Sequence, residues 1–338
     1  MKKMTTYLLL IFVLSTMLFA GCSSQPSAGG DAAESDTIKI GWIGSLTGDQ
    51  AVWGTCEFDT LKMVVEDANA AGGLLGKQIE VIGYDTRGDA TEAVNAVKRL
   101  TSQDKVVAIL GPNASGQAIS ISGVLEQMKV ANIATVATNP KVTVNDDGSV
   151  KPYNFRVCFI DPYQGAVAAG YAADKLSFTK AAILYDVTSD YSQGLTEFFE
   201  KTFTEKGGTI VAKEGFKAGD VDFRAQLSKI KEAQPEVIFM PYYYKEVALS
   251  ANQARELGIT SVLMGGDGWS SDQLIEMASD AIEGSFVVNH LDFNDPDVKP
   301  FQEQYKAKYN KNLELNGYLV HDAFKLFEQA VKDANYII

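Results

Sequence analysis

The stretch IKIGWI, residues 38–43, is a short run rich in β-branched side chains, and a glycine-containing loop follows it as far as Gly54. A run of this kind is typical of a buried strand. Residues 58–71 then carry apolar side chains at helical spacing and end at the pair Gly72-Gly73, a normal helix stop. Because this strand–loop–helix unit repeats along the chain, it predicts an α/β fold.

The repeats form two series. In the first series we predict strands at 78–85, 106–110 and 131–136 and helices at 90–101 and 116–127. In the second we predict strands at 181–185, 209–214, 237–240 and 261–264 and helices at 192–206, 223–233, 246–257 and 272–277. Such units specify a parallel sheet covered by helices on both faces, so two series imply two doubly wound lobes. Ligands of these sheets bind at the carboxyl ends of the strands.

The remaining segments predict how the lobes are joined. The extended apolar stretch 153–160 is expected to run as a strand from the first lobe into the second. Helices at 298–309 and 319–332 are expected to return to the first lobe. The predicted limits are 37–157 plus 290–338 for the N-terminal lobe and 158–289 for the C-terminal lobe. Several crossings between lobes make a hinge that opens and shuts.

The first 22 residues are typical of an export signal. Lys2 and Lys3 precede an apolar run, Tyr7 to Phe19, that is too short to span a bilayer. The end LFAGCSS resembles a bacterial lipoprotein cleavage box, in which Cys22 becomes the lipid-modified first residue. Ordinary secretion with an unrelated cysteine is the alternative. Residues 23–36 are rich in Ser, Gly and Ala and predict a flexible tether, which would hold a soluble body near a membrane.

Composition limits the partners of this chain. It has 338 residues, of which 46% are hydrophobic, and a formal net charge of −13. Nucleic acid is not expected as a partner, because binding to phosphates needs a basic face. The acidity is interpreted as favouring solubility.

Signatures of enzymes and metal sites are weak or missing. The sequence contains no phosphate-binding loop of the GxxxxGK[ST] type and no GxSxG elbow. Apart from Cys22 it has the cysteines Cys56 and Cys158 and the histidines His290 and His321, which do not make a convincing zinc site. We therefore expect no enzyme activity, no metal and no cofactor. Whether Cys56 and Cys158 form a disulfide is left open, because sequence separation does not give distance in space.

Three polar residues follow predicted strands. Ser115 lies between a strand and a helix, where free backbone N–H groups favour an anion such as a carboxylate. Thr138 follows the next strand, and Asp267 holds the same place in the second series. Together they match the carboxylate and the ammonium of an α-amino acid. The alternatives are that Ser115 only caps its helix and that Asp267 only forms a turn.

Aromatic residues are predicted at the same edge of the sheets. They are Trp53, Tyr191 and the run Tyr242 to Tyr244. Several aromatic rings at one cleft would form an amphipathic wall for a small ligand, although ordinary packing is the alternative.

Several motifs together resemble the branched-chain amino acid binding proteins of ABC transporters, the Leu/Ile/Val type of the type I periplasmic binding proteins. These motifs are 40–48 with Trp53-Gly54, the segment 66–76, Phe155-Arg156 followed by Asp161, Gln164 and Gly165, and 253–258 followed by Gly265-Gly-Asp-Gly268. The resemblance covers nearly everything from Thr37 onward. It implies two lobes that close on a ligand and present it to a membrane permease.

The resemblance also implies roles for individual residues. Ser115 and Thr138 would contact the α-carboxylate. Thr138, the backbone carbonyl of Val136 and Asp267 would hold the α-ammonium. Tyr191 matches a tyrosine of the second lobe that closes on the ligand. In addition, Trp53 and Tyr243 match aromatic residues near the side-chain pocket, with Tyr243 preferred to its two neighbours because of its distance from Asp267 in the sequence.

Two departures from the family pattern are expected to matter. The family usually has a glutamate where Asp267 stands, so the shorter side chain needs further closure or a bridging water. The chain also stops at Ile338, whereas family members continue through further elements of the hinge, which raises the alternative of a truncated frame.

The expected function is an extracytoplasmic, lipid-anchored and monomeric binding protein for an amino acid, branched-chain in kind. Within the same fold, the alternatives are another small ligand (an aromatic acid, an amide or a urea-like molecule) and a sensory receptor.

Overall fold

The computed structural model describes residues 37–336, which form two lobes, each built on one five-stranded sheet. Every strand pair within these sheets is parallel. The predicted α/β class with two doubly wound lobes is confirmed. The predicted signal segment, Cys22 and the tether lie outside the described residues.

The first lobe contains the sheet of order β2-β1-β3-β4-β5. Its strands are β1 (Thr37–Gly44), β2 (Gln78–Asp85), β3 (Ala108–Leu110), β4 (Ala131–Ala134) and β5 (Asn154–Arg156). The helices between them are α1 (Ala51–Ala70), α2 (Ala90–Arg99) and α3 (Ser115–Met128).

The second lobe contains the sheet of order β10-β9-β8-β6-β7. Its strands are β6 (Lys180–Asp186), β7 (Thr209–Phe216), β8 (Val237–Phe239), β9 (Val262–Gly265) and β10 (Phe286–Val287). Its helices are α4 (Asp161–Gly170), α5 (Asp190–Glu205), α6 (Arg224–Ala233), α7 (Tyr244–Glu256) and α8 (Asp272–Ala278). Two further helices follow it, α9 (Lys299–Tyr309) and α10 (Leu315–Ala334).

The central strands are covered on both faces. All residues of β3 and of β8 are buried, which explains their uninterrupted apolar sequences. In the first lobe, Phe324 and Phe327 of α10 share one apolar cluster with Ile40 and Leu61. The end of the described chain is therefore part of the core of the first lobe. The predicted lobe limits themselves stay a prediction.

The connection between the lobes is less regular than expected. We predict a strand over 153–160, but the strand is confined to Asn154–Arg156, which pairs with β4. After one more backbone hydrogen bond to β4, from Val157 N–H to Ala134 O at 3.3 Å, the chain continues without a strand partner until α4 begins at Asp161. Because an edge strand has a neighbour on one side only, its pairing ends where the chain leaves the sheet.

Helix α1 begins earlier than predicted and includes Trp53, which we expected in a loop. A turn with Gly48 at a left-handed φ of 84° precedes it, and Ala51 N–H donates to Gly48 O at 3.2 Å. A Cβ on Gly54 would lie 2.0 Å from Ser45 O, so only glycine lets the first turn of α1 approach the end of β1 this closely. Trp53 is thereby held against the carboxyl ends of the strands.

Both cysteines of the described chain are free thiols. Cys56 packs with Met63 and Tyr305, whereas Cys158 packs with Leu315 and Leu319 in a different cluster. Burial raises the pKa of Cys56 to about 11 and that of Cys158 to about 12. In this structure they are buried apolar groups and not partners in a disulfide.

Between residues 37 and 336, no helix is both long and apolar enough to cross a membrane. Nor does this part of the chain contain a group of three or more His, Cys, Asp or Glu side chains that could hold a metal ion.

Candidate functional site

A cavity lies at the carboxyl ends of the strands, and both lobes contribute to its walls. Its lining residues are Gln50, Trp53, Asn113, Ala114, Ser115, Val136, Tyr191, Tyr243, Asp267, Gly268 and Asn316. Six of the seven predicted site residues are among them, and Thr138 is not. Contact of any of them with a ligand stays a prediction.

The first-lobe wall includes the start of α3. We considered that Ser115 caps this helix, but the cap position is Ala114, and Ser115 is the first helical residue. The Ser115 hydroxyl instead accepts a hydrogen bond from Asn139 N–H at 3.2 Å, which links the loop after β3 to the loop after β4. The first intrahelical bond runs from Ala118 N–H to Ala114 O, so the preceding N–H groups have no acceptor within the helix. These groups can receive an anion.

The loop after β4 carries Val136 and Thr138. Val136 lines the cavity, whereas Thr138 is fully buried behind it. Arg156 fixes the shape of this loop, because its guanidinium donates to Ala137 O at 3.0 Å and to Pro140 O at 3.1 Å. The position of Val136 is therefore set by a side chain from the neighbouring edge strand.

Thr138 faces Asp161, a fully buried carboxyl at the first turn of α4. Burial raises the pKa of Asp161 to about 8, and the nearby Thr138 hydroxyl partly offsets that rise. Within residues 37–336 neither side chain has a hydrogen bond of standard geometry. Asp161 N–H donates to Thr138 O at 3.0 Å, so the backbones of the two loops are joined at this point.

Asp267 is the polar centre of the second-lobe wall. Its Oδ1 accepts hydrogen bonds from Tyr191 Oη at 2.8 Å and from Gln164 Nε2 at 3.1 Å. Its Oδ2 lies 3.1 Å from His290 Nε2. The side chain of Asp267 is only 2% exposed, and no Lys or Arg within residues 37–336 pairs with it. Asp267 thus presents a fixed acceptor that suits an ammonium group.

A glycine permits this arrangement. Asp267 N–H donates to Gln164 Oε1 at 2.6 Å, and a Cβ on the preceding residue, Gly266, would lie 2.2 Å from that same oxygen. Gln164 therefore holds both the backbone and the side chain of Asp267. The sequence pointed to Gln164 only through the motif around Asp161, and His290 was not among the predicted site residues.

Of the three tyrosines at 242–244, the cavity wall contains Tyr243, the one that we predicted. Tyr243 stacks on Tyr191 with ring centroids 5.3 Å apart, and Trp53 meets Tyr243 edge-on at 5.5 Å. Tyr242 is instead buried in the second lobe, where its hydroxyl lies 2.8 Å from Ser250 Oγ. Tyr244 contacts the first lobe outside the cavity by donating to Asp49 O at 2.7 Å.

The remaining first-lobe wall is polar, which the sequence reasoning missed. Gln50, Asn113 and Asn316 line it with side-chain amides. Asn316 Nδ2 donates to the buried carboxyl of Glu57 at 3.3 Å, and Thr135 Oγ1 donates to the same carboxyl at 2.9 Å. Desolvation raises the pKa of Glu57 to about 7, although these hydrogen bonds lower it in part. No sequence motif marks this wall, because its residues come from three distant segments.

The two lobes lie close together around the cavity. Trp53 Nε1 donates to Ser270 O at 2.8 Å, and Asn139 Nδ2 donates to Asp190 O at 2.8 Å, each between lobes. The volume of the cavity that is open to the centre of a water-sized sphere is only ≈ 20 Å³. A ligand larger than a water molecule can therefore reach Asp267 only when the lobes separate.

Comparisons with known proteins agree with this architecture. The model of the periplasmic binding protein family matches residues 37–336. The leucine-, isoleucine-, valine-, threonine- and alanine-binding protein of Pseudomonas aeruginosa is 31% identical over 325 residues, covering 96% of this chain and 83% of that protein. The leucine binding protein LivK of Thermotoga maritima superposes with a TM-score of 0.81 at 36% identity, over 88% of this chain and 83% of that one.

A second solved structure is LivJ of Streptococcus pneumoniae, a branched-chain amino acid transporter substrate binding protein in complex with isoleucine. It superposes with a TM-score of 0.81 at 32% identity, covering 87% of this chain and 84% of that one. The resemblance noted from the sequence motifs is thereby confirmed. The two parallel sheets, the cavity between them and these similarities lead to one conclusion: the chain belongs to the periplasmic binding protein family.

Proposed function

We propose that this protein is the extracytoplasmic solute-binding component of an ABC transporter, and that it captures an α-amino acid between its lobes. One observation carries the proposal. The free N–H groups at the start of α3, with Ser115, line the same cavity as the buried carboxylate of Asp267. An α-amino acid has one anionic and one cationic group on the same carbon, and these walls offer a partner for each.

Burial explains why both partners are needed. A charged group taken out of water costs free energy unless it is paired and hydrogen-bonded. Asp267 is already held by Tyr191, Gln164 and His290, so it needs little reorganisation to receive an ammonium. A pre-organised site of this kind loses less entropy on binding.

The relatives support an amino acid as the ligand and a branched-chain side chain as the first expectation. The Pseudomonas aeruginosa relative is named for leucine, isoleucine, valine, threonine and alanine, and the LivJ structure contains isoleucine. The family is one of solute-binding proteins, and we propose capture and release without covalent chemistry.

Anchoring and partners complete the proposal. Lipid modification at Cys22 and a tether over 23–36 would hold the monomeric body at the outer face of the cytoplasmic membrane. Closure of the two lobes would then present the bound amino acid to a membrane permease.

Titration calorimetry of the full chain in detergent, against a panel of L-amino acids and benzoate, tests the proposal. We expect micromolar or tighter binding of at least one amino acid. Asp267→Ala should weaken that binding by about 2 kcal/mol or more, roughly 30-fold, because the ammonium loses its counter-charge. Asp322→Ala, at an exposed carboxylate on α10, is the control and should bind normally. Equal affinity in the Asp267→Ala variant would remove Asp267 from the site.

A further inference from the structure

The cavity wall also contains polar residues that the proposed contacts with the α-carboxylate and the α-ammonium do not use. Gln50 and Asn113 both line the cavity, and the side-chain oxygens Gln50 Oε1 and Asn113 Oδ1 are buried without a hydrogen-bond partner in the described chain. Asn113 as a whole is only 7% exposed. Buried carbonyl oxygens in folded proteins nearly always have a partner. Two such oxygens on residues that line one cavity can receive hydrogen bonds from its occupant.

Neighbouring donors on this wall are already engaged. Trp53 Nε1 donates to Ser270 O at 2.8 Å, and Asn316 Nδ2 donates to Glu57 Oε2 at 3.3 Å. Trp53 Nε1 has a single hydrogen, which this bond uses, and Asn316 Nδ2, which has a second hydrogen, makes no hydrogen bond to either the Gln50 or the Asn113 oxygen. An aliphatic side chain would bury both oxygens against carbon and leave them unpaired.

The wall also bears on the charge of the side chain. Glu57, the carboxyl that Asn316 contacts, is fully buried and accepts hydrogen bonds from Trp42, Thr135 and Asn316. Both of its oxygens therefore already have a donor, and Glu57 is a poor counter-charge for a cationic side chain. A neutral group that donates hydrogen bonds suits the unpaired oxygens of Gln50 and Asn113.

We propose that the site departs from the branched-chain expectation set by the relatives and selects an α-amino acid whose side chain carries a hydroxyl or an amide, in preference to the aliphatic amino acid of the same shape. The unpaired oxygens of Gln50 and Asn113 recognise the side-chain donor. This inference rests on the proposed function, because it takes the α-carboxylate to lie at Ser115 and the α-ammonium at Asp267.

Two pairs of nearly isosteric amino acids test the proposal with the full chain in detergent. Calorimetry should show threonine binding at least about tenfold more tightly than valine, and asparagine at least about tenfold more tightly than leucine. Equal or tighter binding of valine and leucine would overturn the inference and leave the proposed function intact. If no amino acid binds to a chain with a cooperative melting transition, the proposed function is overturned, and the inference with it.

A pair of variants tests whether Asn113 Oδ1 is responsible for the preference for threonine over valine. Asn113→Leu keeps the shape of the side chain and removes the oxygen, so the preference for threonine over valine should fall about tenfold. Asn95→Leu, at an exposed position on α2, is the matched control and should keep the preference. If Asn113→Leu does not melt cooperatively, Gln50→Met replaces it. An unchanged preference in the variant that folds would contradict the proposal.

Discussion

At the scale of single residues, the site depends on how Asp267 is held. Three side chains position its carboxylate, and two of them, Gln164 and His290, were not among the predicted site residues. His290 stacks on Phe159 with ring centroids 3.6 Å apart, which fixes the plane of the imidazole. The carboxylate oxygen that faces His290 therefore has a defined direction.

Replacing His290 tests this positioning role. His290→Phe keeps an aromatic ring for stacking on Phe159 and removes the Nε2 that faces Asp267 Oδ2. We expect amino acid affinity to fall by about fivefold to tenfold, because the carboxylate loses one of the groups that orient it. Calorimetry measures the change. His321→Phe, on the partly exposed face of α10, is the control, and an unaltered affinity in both variants would argue against positioning by His290.

Some site residues could be predicted from the sequence and others could not, for physical reasons. Ser115, Val136, Tyr243 and Asp267 follow strands, and the carboxyl ends of parallel strands meet at one edge, so their convergence could be predicted. Thr138 also follows a strand, yet its side chain turns to Asp161, and the sequence does not reveal which way a loop side chain points.

Residues from outside the repeated units could not be predicted as site residues. His290 and Asn316 come from segments after the second series, and only the folded chain brings His290 to Asp267 and Asn316 to the cavity wall. Gln50 and Asn113 lie in the two loops that the sequence did identify. Their role depends on unpaired oxygen atoms, which are visible only once the neighbouring contacts are known.

At the scale of elements, the start of α7 joins the turn before α1 across the two lobes. Tyr244 Oη donates to Asp49 O at 2.7 Å, and Lys245 Nζ lies 2.6 Å from Asp49 Oδ1. Neither Tyr244 nor Lys245 lines the cavity around Asp267. These contacts hold the lobes together without touching the proposed ligand, so they can be altered separately.

Tyr244→Phe tests the contribution of this contact to closure. The variant loses one hydrogen bond between lobes, so we expect faster ligand release and an affinity lowered about threefold to tenfold. Stopped-flow tryptophan fluorescence measures the release rate. Tyr242→Phe loses a similar hydrogen bond inside the second lobe and should lower stability while leaving release unchanged. Identical release rates in the native chain and the Tyr244→Phe variant would show that this contact does not contribute to closure.

Helices and strands were predicted better from the sequence than the segments that connect them. Strands β3 and β6 lie where their apolar runs placed them, because buried parallel strands have continuous apolar sequences. The start of α1 at Ala51 was missed, since glycines at 44, 48 and 54 favoured a loop. One of these glycines, Gly54, is there for close packing against β1, which a sequence pattern does not distinguish from flexibility.

At the scale of the whole molecule, several buried carboxyls make stability depend on pH. Burial raises the pKa of Glu57 to about 7, that of Glu314 to about 7 and that of Asp161 to about 8. At pH values between the pKa of a carboxyl in the unfolded chain and its higher pKa in the folded chain, the folded chain holds a proton that the unfolded chain has released. Stability should therefore fall as the pH rises from about 5 to about 8.

Glu57→Gln isolates one part of this dependence. For Glu57 alone, the free energy of unfolding should be roughly 3 kcal/mol smaller at pH 8 than at pH 5. The glutamine amide cannot ionise. The free energy of unfolding of the variant should therefore fall less steeply with pH than that of the native chain, whatever its value at pH 5. Urea unfolding at several pH values, compared with the native chain, measures the slope. A steeper or equal slope in Glu57→Gln would contradict the assignment.

Recognition of a zwitterion between the two lobes underlies the proposed site, its closure and its specificity. Calorimetry of the tightest-binding amino acid against its deaminated and decarboxylated analogues tests this claim most directly. We predict that removal of either charged group weakens binding at least about a hundredfold, since the partner left behind is buried without compensation. Binding of either analogue as tightly as the amino acid itself would contradict the account.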